Sequence, residues 1–184
     1  VTGTNGKTSV SYMVKTILES VGHKCGLIGT IQHMIGDEVV DSNNTTPGAY
    51  ELNSLFAKMV EAGCDHCIME VSSHALDQNR VYGIDFEVAI FTNLTQDHLD
   101  YHITMENYMN AKKKLFLNAK TAILNMDDSY YSAFNDGLTC KSVTYSAISD
   151  EADYTAKDIR LRPDGTEYLL SGIGKLQRIK TMIG

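Results

Sequence analysis

Six consecutive residues, Gly3-Thr4-Asn5-Gly6-Lys7-Thr8, constrain this chain more than any other feature. The glycines let the backbone fold so that several N–H groups point at one anion. Directly downstream, Val10, Met13, Val14, Ile17, Leu18 and Val21 recur at i, i+3, i+4, i+7, i+8 and i+11, which predicts an amphipathic helix. The loop therefore opens onto a helix N-terminus, whose partial positive charge favours phosphate. Lys7 supplies a cation for the β- and γ-phosphates, and the Thr8 hydroxyl is placed to ligate Mg²⁺. The strict pattern would put Gly where this chain has Val1, so the motif is a variant. Gly-Lys-Thr before a helix is common by chance; Gly-x-x-Gly-Lys-Thr in this context predicts nucleotide binding over an ordinary turn.

A phosphate loop of this kind belongs to a layered α/β domain, and the remaining pattern agrees. Cys25–Thr30 reads as a short buried strand, and Gly36-Asp37 as the turn of a hairpin joining Ile31–Ile35 to Glu38–Val40. Pro47 falls near the first turn of a helix burying Leu52, Leu55, Phe56 and Met59 and closed by Gly63. Cys67–Val71, Val88–Thr92 and Thr121–Leu124 are strands, Met105–Leu117 is a helix, and a short helix surrounds Tyr130–Phe134. From Tyr154 the period becomes two-like, with Pro163-Asp164-Gly165 turning between strands. The expected fold is α/β, a mostly parallel sheet flanked by helices, plus a small antiparallel β subregion near the C-terminus.

Composition excludes several classes. With 184 residues, 43% of them hydrophobic, the chain can bury a core, and 2 prolines leave no Pro-rich linker. No apolar run reaches a membrane span. The net charge of −7, with no basic stripe longer than Lys112–Lys114, argues against nucleic acid and anionic membranes as partners. The four cysteines form no disulfide framework and suit a reducing cytosol; Cys64 and Cys67 have CxxC spacing without a second pair, and buried, inert thiols are expected.

Four further features carry chemistry. Glu70 ends an apolar strand near the nucleotide edge of the sheet, where a carboxylate can hold Mg²⁺; alone, it could equally be one half of an ion pair. His98 and His102 in Asp97-His98-Leu99-Asp100-Tyr101-His102 have i, i+4 spacing, readable as a metal site or as a polar loop. A zinc hydrolase would want HExxH, which the chain lacks. Lys112 lies about 40° from Tyr108 and about 60° from Leu115 on a helical wheel, hence on the apolar face. It is either a snorkelling lysine or a desolvated amine with a depressed pKa. Ser72-Ser73-His74 lacks the third group of a hydrolytic set, and capping or substrate hydrogen bonding by the serines is the simpler reading.

Together these stretches resemble the Mur ligase family, in particular the central ATP-binding domain of its diamino-acid-adding, MurE-type branch. The matching blocks are Thr2–Thr8, Asn44–Pro47, Met69–Leu76, Gln78–Arg80, Thr92–His102 and Tyr108–Lys112, in family order from residue 2 to about 125. The resemblance implies an ATP-dependent amide ligase of peptidoglycan synthesis, joining a diamino acid to UDP-MurNAc-L-Ala-D-Glu through an acyl phosphate. Gly3, Thr4, Asn5, Gly6, Lys7 and Thr8 would bind ATP. Thr8, Glu70, His98 and Lys112 would serve Mg²⁺, with Lys112 carbamylated and hence carboxylate-like, and Lys7, Glu70, His98 and Lys112 would be catalytic. Asn44, Thr45, Thr46, Ser72, Gln78 and Arg80 would contact the UDP-MurNAc-dipeptide.

The resemblance also implies a cytoplasmic bacterial enzyme, monomeric when full length. Residues 1–184 would then be the central domain alone, cut within the strand before the phosphate loop and ahead of the C-terminal domain that selects meso-diaminopimelate or L-lysine. The uridine-binding N-terminal domain would be absent, and the isolated piece is expected to be poorly stable and inactive. Two alternatives stay open: another amide ligase of the Mur or folylpolyglutamate type, and a non-catalytic nucleotide-binding module of the same fold.

Overall fold

In a computed structural model, which describes residues 1–182, the chain builds two sheets joined by its first two residues. The helix after the phosphate loop is α1 (Lys7–Ser20). Then come β1 (Cys25–Ile28), the hairpin β2 (His33–Ile35) and β3 (Glu38–Val40), α2 (Ala49–Glu61), β4 (His66–Met69) and α3 (Ser73–Asp77). The second half holds β5 (Phe86–Phe91), α4 (Leu99–His102), α5 (Met105–Lys113), a 3₁₀ turn at Lys114–Asn118, β6 (Ala119–Asn125), α6 (Tyr131–Asn135) and β7 (Lys141–Ser146). A meander of β8 (Tyr154–Arg162), β9 (Gly165–Gly172) and β10 (Lys175–Thr181) follows.

The four-stranded sheet runs β3-β2-β1-β4 and the six-stranded sheet runs β10-β9-β8-β7-β6-β5. Val1 and Thr2 bridge them. The Val71 N–H donates to Val1 O at 2.8 Å, while the Thr2 N–H donates to Ile90 O at 2.8 Å and the Thr92 N–H to Thr2 O at 3.0 Å. The phosphate loop thus leaves the sheet at its middle, between the C-terminal ends of β4 and β5. Pairings β1·β4, β5·β6, β6·β7 and β7·β8 are parallel, and β8·β9 and β9·β10 antiparallel, so the body is parallel and the tail antiparallel as expected, although β7 itself was not read from the sequence.

Helices cover both faces. Leu52, Leu55 and Met59 of α2 pack with Ile28, Ile35 and Met69 in a core that extends to Phe91, Phe116, Leu124 and Phe134. The opposite face, Cys25, Leu27 and Ile68, meets Tyr12, Val14 and Leu18 of α1. Alternation along β1 makes this two-sided packing possible.

Four local expectations need correction. The stripe read for α1 is only partly buried: Val14 and Leu18 pack on the sheet, but Ile17 is 64% and Val21 71% exposed, and Ser11 and Lys15 are the buried residues. The loop fixes how α1 starts, small Ser11 lets it approach the sheet, and Lys15 buries its stem while its ammonium reaches Glu19. Pro47 lies outside α2, ahead of its cap Gly48. The helix starting at Met105 gives way to the 3₁₀ turn at Lys114. Cys25 alone of the four thiols is buried; Cys67 is exposed, because Val1 reaches only Met69 and Val71 on that edge of β4.

Candidate functional site

The loop hangs between two strand ends, and residues distant in sequence help to hold it in shape. The Asn93 carboxamide does much of that: its Oδ1 accepts from the Asn5 N–H at 2.9 Å and its Nδ2 donates to Asn5 O at 3.0 Å. Thr92 donates its hydroxyl to Asn5 O at 2.7 Å, and the Thr4 hydroxyl donates to Thr95 O at 3.1 Å and shares a hydrogen bond with the Tyr108 hydroxyl at 3.2 Å. Thr92, Asn93, Thr95 and Tyr108 were not assigned roles from sequence. The signal for the first three was the largely polar run Thr92–Gln96 directly after an apolar strand; Tyr108 had none. Gly3 sits at φ +147°, and a Cβ there would lie 1.9 Å from Thr92 Oγ1, so this approach requires glycine.

Two amines converge on one carbonyl beneath the loop. Lys7 Nζ donates to Gly3 O at 3.0 Å and Thr4 O at 2.9 Å, and Lys112 Nζ donates to the same Gly3 O at 2.8 Å. Lys112 is buried, its ammonium 4.7 Å from the centre of the Tyr108 ring. Burial, and then the positive charge of Lys7, lower the Lys112 pKa to about 7. Burial also lowers that of Lys7, against the opposing pull of Glu70 and Asp97. The helical-wheel placement of Lys112 on the apolar face is therefore met, with the desolvated amine rather than the snorkelling one.

On the other flank the Thr8 hydroxyl donates to Glu70 Oε2 at 2.8 Å. Glu70 is fully buried, and its remaining donors are the Thr30 N–H at 3.0 Å and the Thr30 hydroxyl at 2.9 Å. Gly29 makes room for it, since a Cβ there would stand 2.4 Å from Glu70 Oε1. Among the described residues no cationic side chain forms an ion pair with Glu70. A buried carboxylate served only by neutral donors beside a hydroxyl is an oxygen set that fits a hard cation such as Mg²⁺.

His98 sits in the left-handed region at φ 51° as the cap of α4, its ring 4.9 Å from His74 and 6.0 Å from Tyr108. Tyr108 thus stands between His98 and Lys112. The structure puts Thr8 directly on Glu70, while Lys112 and His98 each approach Tyr108, and no hydrogen bond or ion pair joins the two pairs among the described residues. His102 takes a different place, with Nε2 2.9 Å from the buried Ser73 hydroxyl, and Ser72 caps α3 by accepting from the Ala75 N–H.

The residues expected to contact the dipeptide substrate gather beside Glu70. Arg80 donates through Nη1 to Thr46 O at 2.8 Å and through Nε to Gln78 Oε1 at 2.9 Å. Thr46 is buried, with its hydroxyl donating to Glu70 O and accepting from the Ser72 N–H, so its first task is to hold the strand end. Thr45 shares a hydrogen bond with Thr30, and Asn44 is exposed on the same loop, where Ser42 donates to its carbonyl.

Residues 1–183 match the family described as Mur ligase middle domain. The UDP-N-acetylmuramoyl-L-alanyl-D-glutamate–2,6-diaminopimelate ligase 1 of Clostridium acetobutylicum is 50% identical over 184 residues, all of this chain and 38% of that protein. The ligase of the same name from Bacillus cereus is 49% identical over 179 residues, 92% of this chain and 36% of that protein. A solved structure of a UDP-N-acetylmuramoyl-L-alanyl-D-glutamate–2,6-diaminopimelate ligase superposes with a TM-score of 0.84 at 30% identity, covering 98% of this chain and 38% of that one. MurF of Thermotoga maritima in complex with ADP shares the fold, with a TM-score of 0.67 at 15% identity over 98% of this chain and 39% of that one. This chain spans about two fifths of the length of the curated relatives it matches. A phosphate loop springing from mid-sheet, a buried Glu70 facing Thr8 and a desolvated Lys112 thus sit in a chain that belongs to the Mur ligase middle-domain family.

Proposed function

We propose that this chain is the ATP-binding part of a longer bacterial ligase that joins 2,6-diaminopimelate to UDP-MurNAc-L-Ala-D-Glu. The observation carrying this reading is the Thr8–Glu70 contact across a phosphate loop that also collects Lys7 and Lys112. The relatives' names supply the substrates, and the diamino acid is taken from them, because residues selecting it are expected outside this stretch.

Lys7, held at rest by the Gly3 and Thr4 carbonyls, turns to neutralise the β- and γ-phosphates of ATP while the N–H groups opening α1 bind their oxygens. The γ-phosphoryl passes to the D-Glu side-chain carboxylate, giving an acyl phosphate. The diamino acid's amine attacks the acyl carbon, the tetrahedral adduct expels phosphate, and the nitrogen loses a proton. Thr8 and Glu70 would hold Mg²⁺, which supplies charge neutralisation when bound. Neutral Lys112 is the form that adds CO₂, and its carbamate would supply carboxylate oxygens for the cation. Arg80, already ordered by Gln78 and Thr46, offers its guanidinium to the dipeptide's anionic groups.

The reaction is assigned to the bacterial cytoplasm and to a monomer, with no nucleic acid or membrane taking part; among the described residues no helix is long and apolar enough to cross a membrane. Phosphate release from ATP by the full-length protein tests the proposal. It should require both UDP-MurNAc-L-Ala-D-Glu and diaminopimelate. Release with a folate or with the tripeptide product instead would move the protein to another amide ligase class, and no turnover with any acceptor would make it a binding module.

A further inference from the structure

At the far end of the same strands lies a second constellation that the ligase reading leaves unused. His23 follows the Gly22 turn closing α1, while Asp65 precedes β4 and His66 opens it. Asp65 Oδ2 is 2.7 Å from His23 Nδ1 and Asp65 Oδ1 is 3.1 Å from His66 Nδ1, with the two imidazole centres 4.3 Å apart. Among the described residues this is the one group of three His, Cys, Asp or Glu ligand atoms lying within 4.8 Å of one another.

We propose that His23, Asp65 and His66 form a binding site for a borderline divalent metal ion such as Zn²⁺, Co²⁺ or Ni²⁺. Ligand atoms on a tetrahedral ion lie about 3.3–3.4 Å apart, given metal–ligand bonds of about 2.0–2.1 Å, so small side-chain rotations seat an ion between these three. The backbone supporting them is fixed. The Asp65 N–H donates to Lys24 O at 2.9 Å, the Lys24 N–H donates to Asp65 Oδ1 at 3.1 Å, and Cys25 pairs with His66 in the parallel ladder. Of the three, only His66 lies in a strand; His23 is tied back to α1 by its N–H donating to Leu18 O at 3.2 Å, and Asp65 is tied to Lys24. Side-chain exposures of 40%, 52% and 40% leave the outer coordination positions to water.

The donor set separates this site from the phosphate loop. Two imidazole nitrogens and one carboxylate favour borderline metals, whereas Thr8 and Glu70 present oxygens alone. Four residue steps along the chain, about 13 Å in extended backbone, separate His66 from Glu70, so the two ions would not meet. A bound ion would pin the end of α1 to the start of β4, 42 positions apart in sequence.

Co²⁺ titration of the full-length protein in the absence of nucleotide tests this by ligand-field absorption. The expected result is a one-site spectrum with nitrogen ligands that persists in Glu70→Gln and His98→Ala and survives excess Mg²⁺. His23→Ala and His66→Ala should each weaken binding about tenfold or more. Thermal melting should show a Co²⁺-dependent rise in Tm in the parent that is lost in His66→Gln, which keeps a polar side chain at this exposed position. An absent spectrum in the parent, an unchanged affinity in the His23→Ala/His66→Ala double variant, or displacement by equimolar Mg²⁺ would each overturn the proposal.

Discussion

The phosphate-loop region and the C-terminal meander are both ordered, yet different forces hold them. Around the loop, Thr2, Glu70, Tyr108 and Lys112 are buried, and each polar atom has a named partner from another element. In the meander, Leu161 is 80%, Leu176 66% and Ile173 79% exposed, and order comes from the backbone ladder of β8, β9 and β10. The side-chain ion pairs there, such as Lys180 with Asp164 and Arg160 with Asp158, are exposed and contribute little. The contrast teaches where single substitutions count. Removing one partner from a buried polar network leaves the other unsatisfied, whereas a solvated strand loses almost nothing.

The sharpest way to break the comparison is Lys112→Ala in the full-length protein. A loss of about 10²–10³-fold in turnover is expected, with little change in substrate affinity, because a charge-stabilising group is removed. Unchanged turnover would reduce Lys112 to a packing residue. Gly3→Ala comes next: strain at positive φ costs about 1–3 kcal/mol even before the clash with Thr92, so thermal melting should drop and nucleotide binding should fail.

The third effect is a pH dependence. With the Lys112 pKa near 7 in the folded protein against 10.5 as its ordinary value, the unfolded chain holds more protons between those limits. This group's contribution to stability therefore rises as pH increases from about 7 to 10.5 and is flat below. Its neutral fraction grows about tenfold between pH 6 and 8. Carbamate formation, followed by the ¹³C signal from labelled bicarbonate, should climb across that window in the parent and vanish in Lys112→Arg. A flat signal would mean that the amine is not desolvated.

Smaller still, Tyr108→Phe deletes the hydrogen bond to Thr4 and should cost about 1 kcal/mol in denaturant unfolding. Leu176→Ser in the meander should stay within about 0.5 kcal/mol. A much larger loss there would show that the meander's exposed face is covered in the whole protein, and the contrast between the two regions would narrow.

Much of this was legible beforehand because it depends on local periodicity. The order of most strands and helices, the Gly36-Asp37 hairpin and the Pro163–Gly165 turn follow from patterns a few residues long, whereas β7 and the short α3 and α4 carry no such pattern. Lys112 was readable too, because a helix of known pitch fixes which neighbours share its face. The roles of Thr92, Asn93, Thr95 and Tyr108 were not, since each acts on a loop roughly 90 to 100 positions away in the chain. The exposure of Ile17 and Val21 on α1 has a related reason. Periodicity gives the angular spacing of side chains but not the rotation of the helix against its sheet.

By itself, then, the sequence determined the phosphate loop, the alternation of strand and helix, and the residue types able to serve nucleotide and cation. Only the tertiary structure decided that Val1 and Thr2 join two sheets, that Glu70 meets Thr8 without a cationic partner, and that Lys7 and Lys112 share one carbonyl. It alone also brought His23 to Asp65 and His66. The physical reason is the same throughout: local propensity acts over one or two turns, whereas electrostatics and burial depend on which distant segments the sheet brings within a few ångströms.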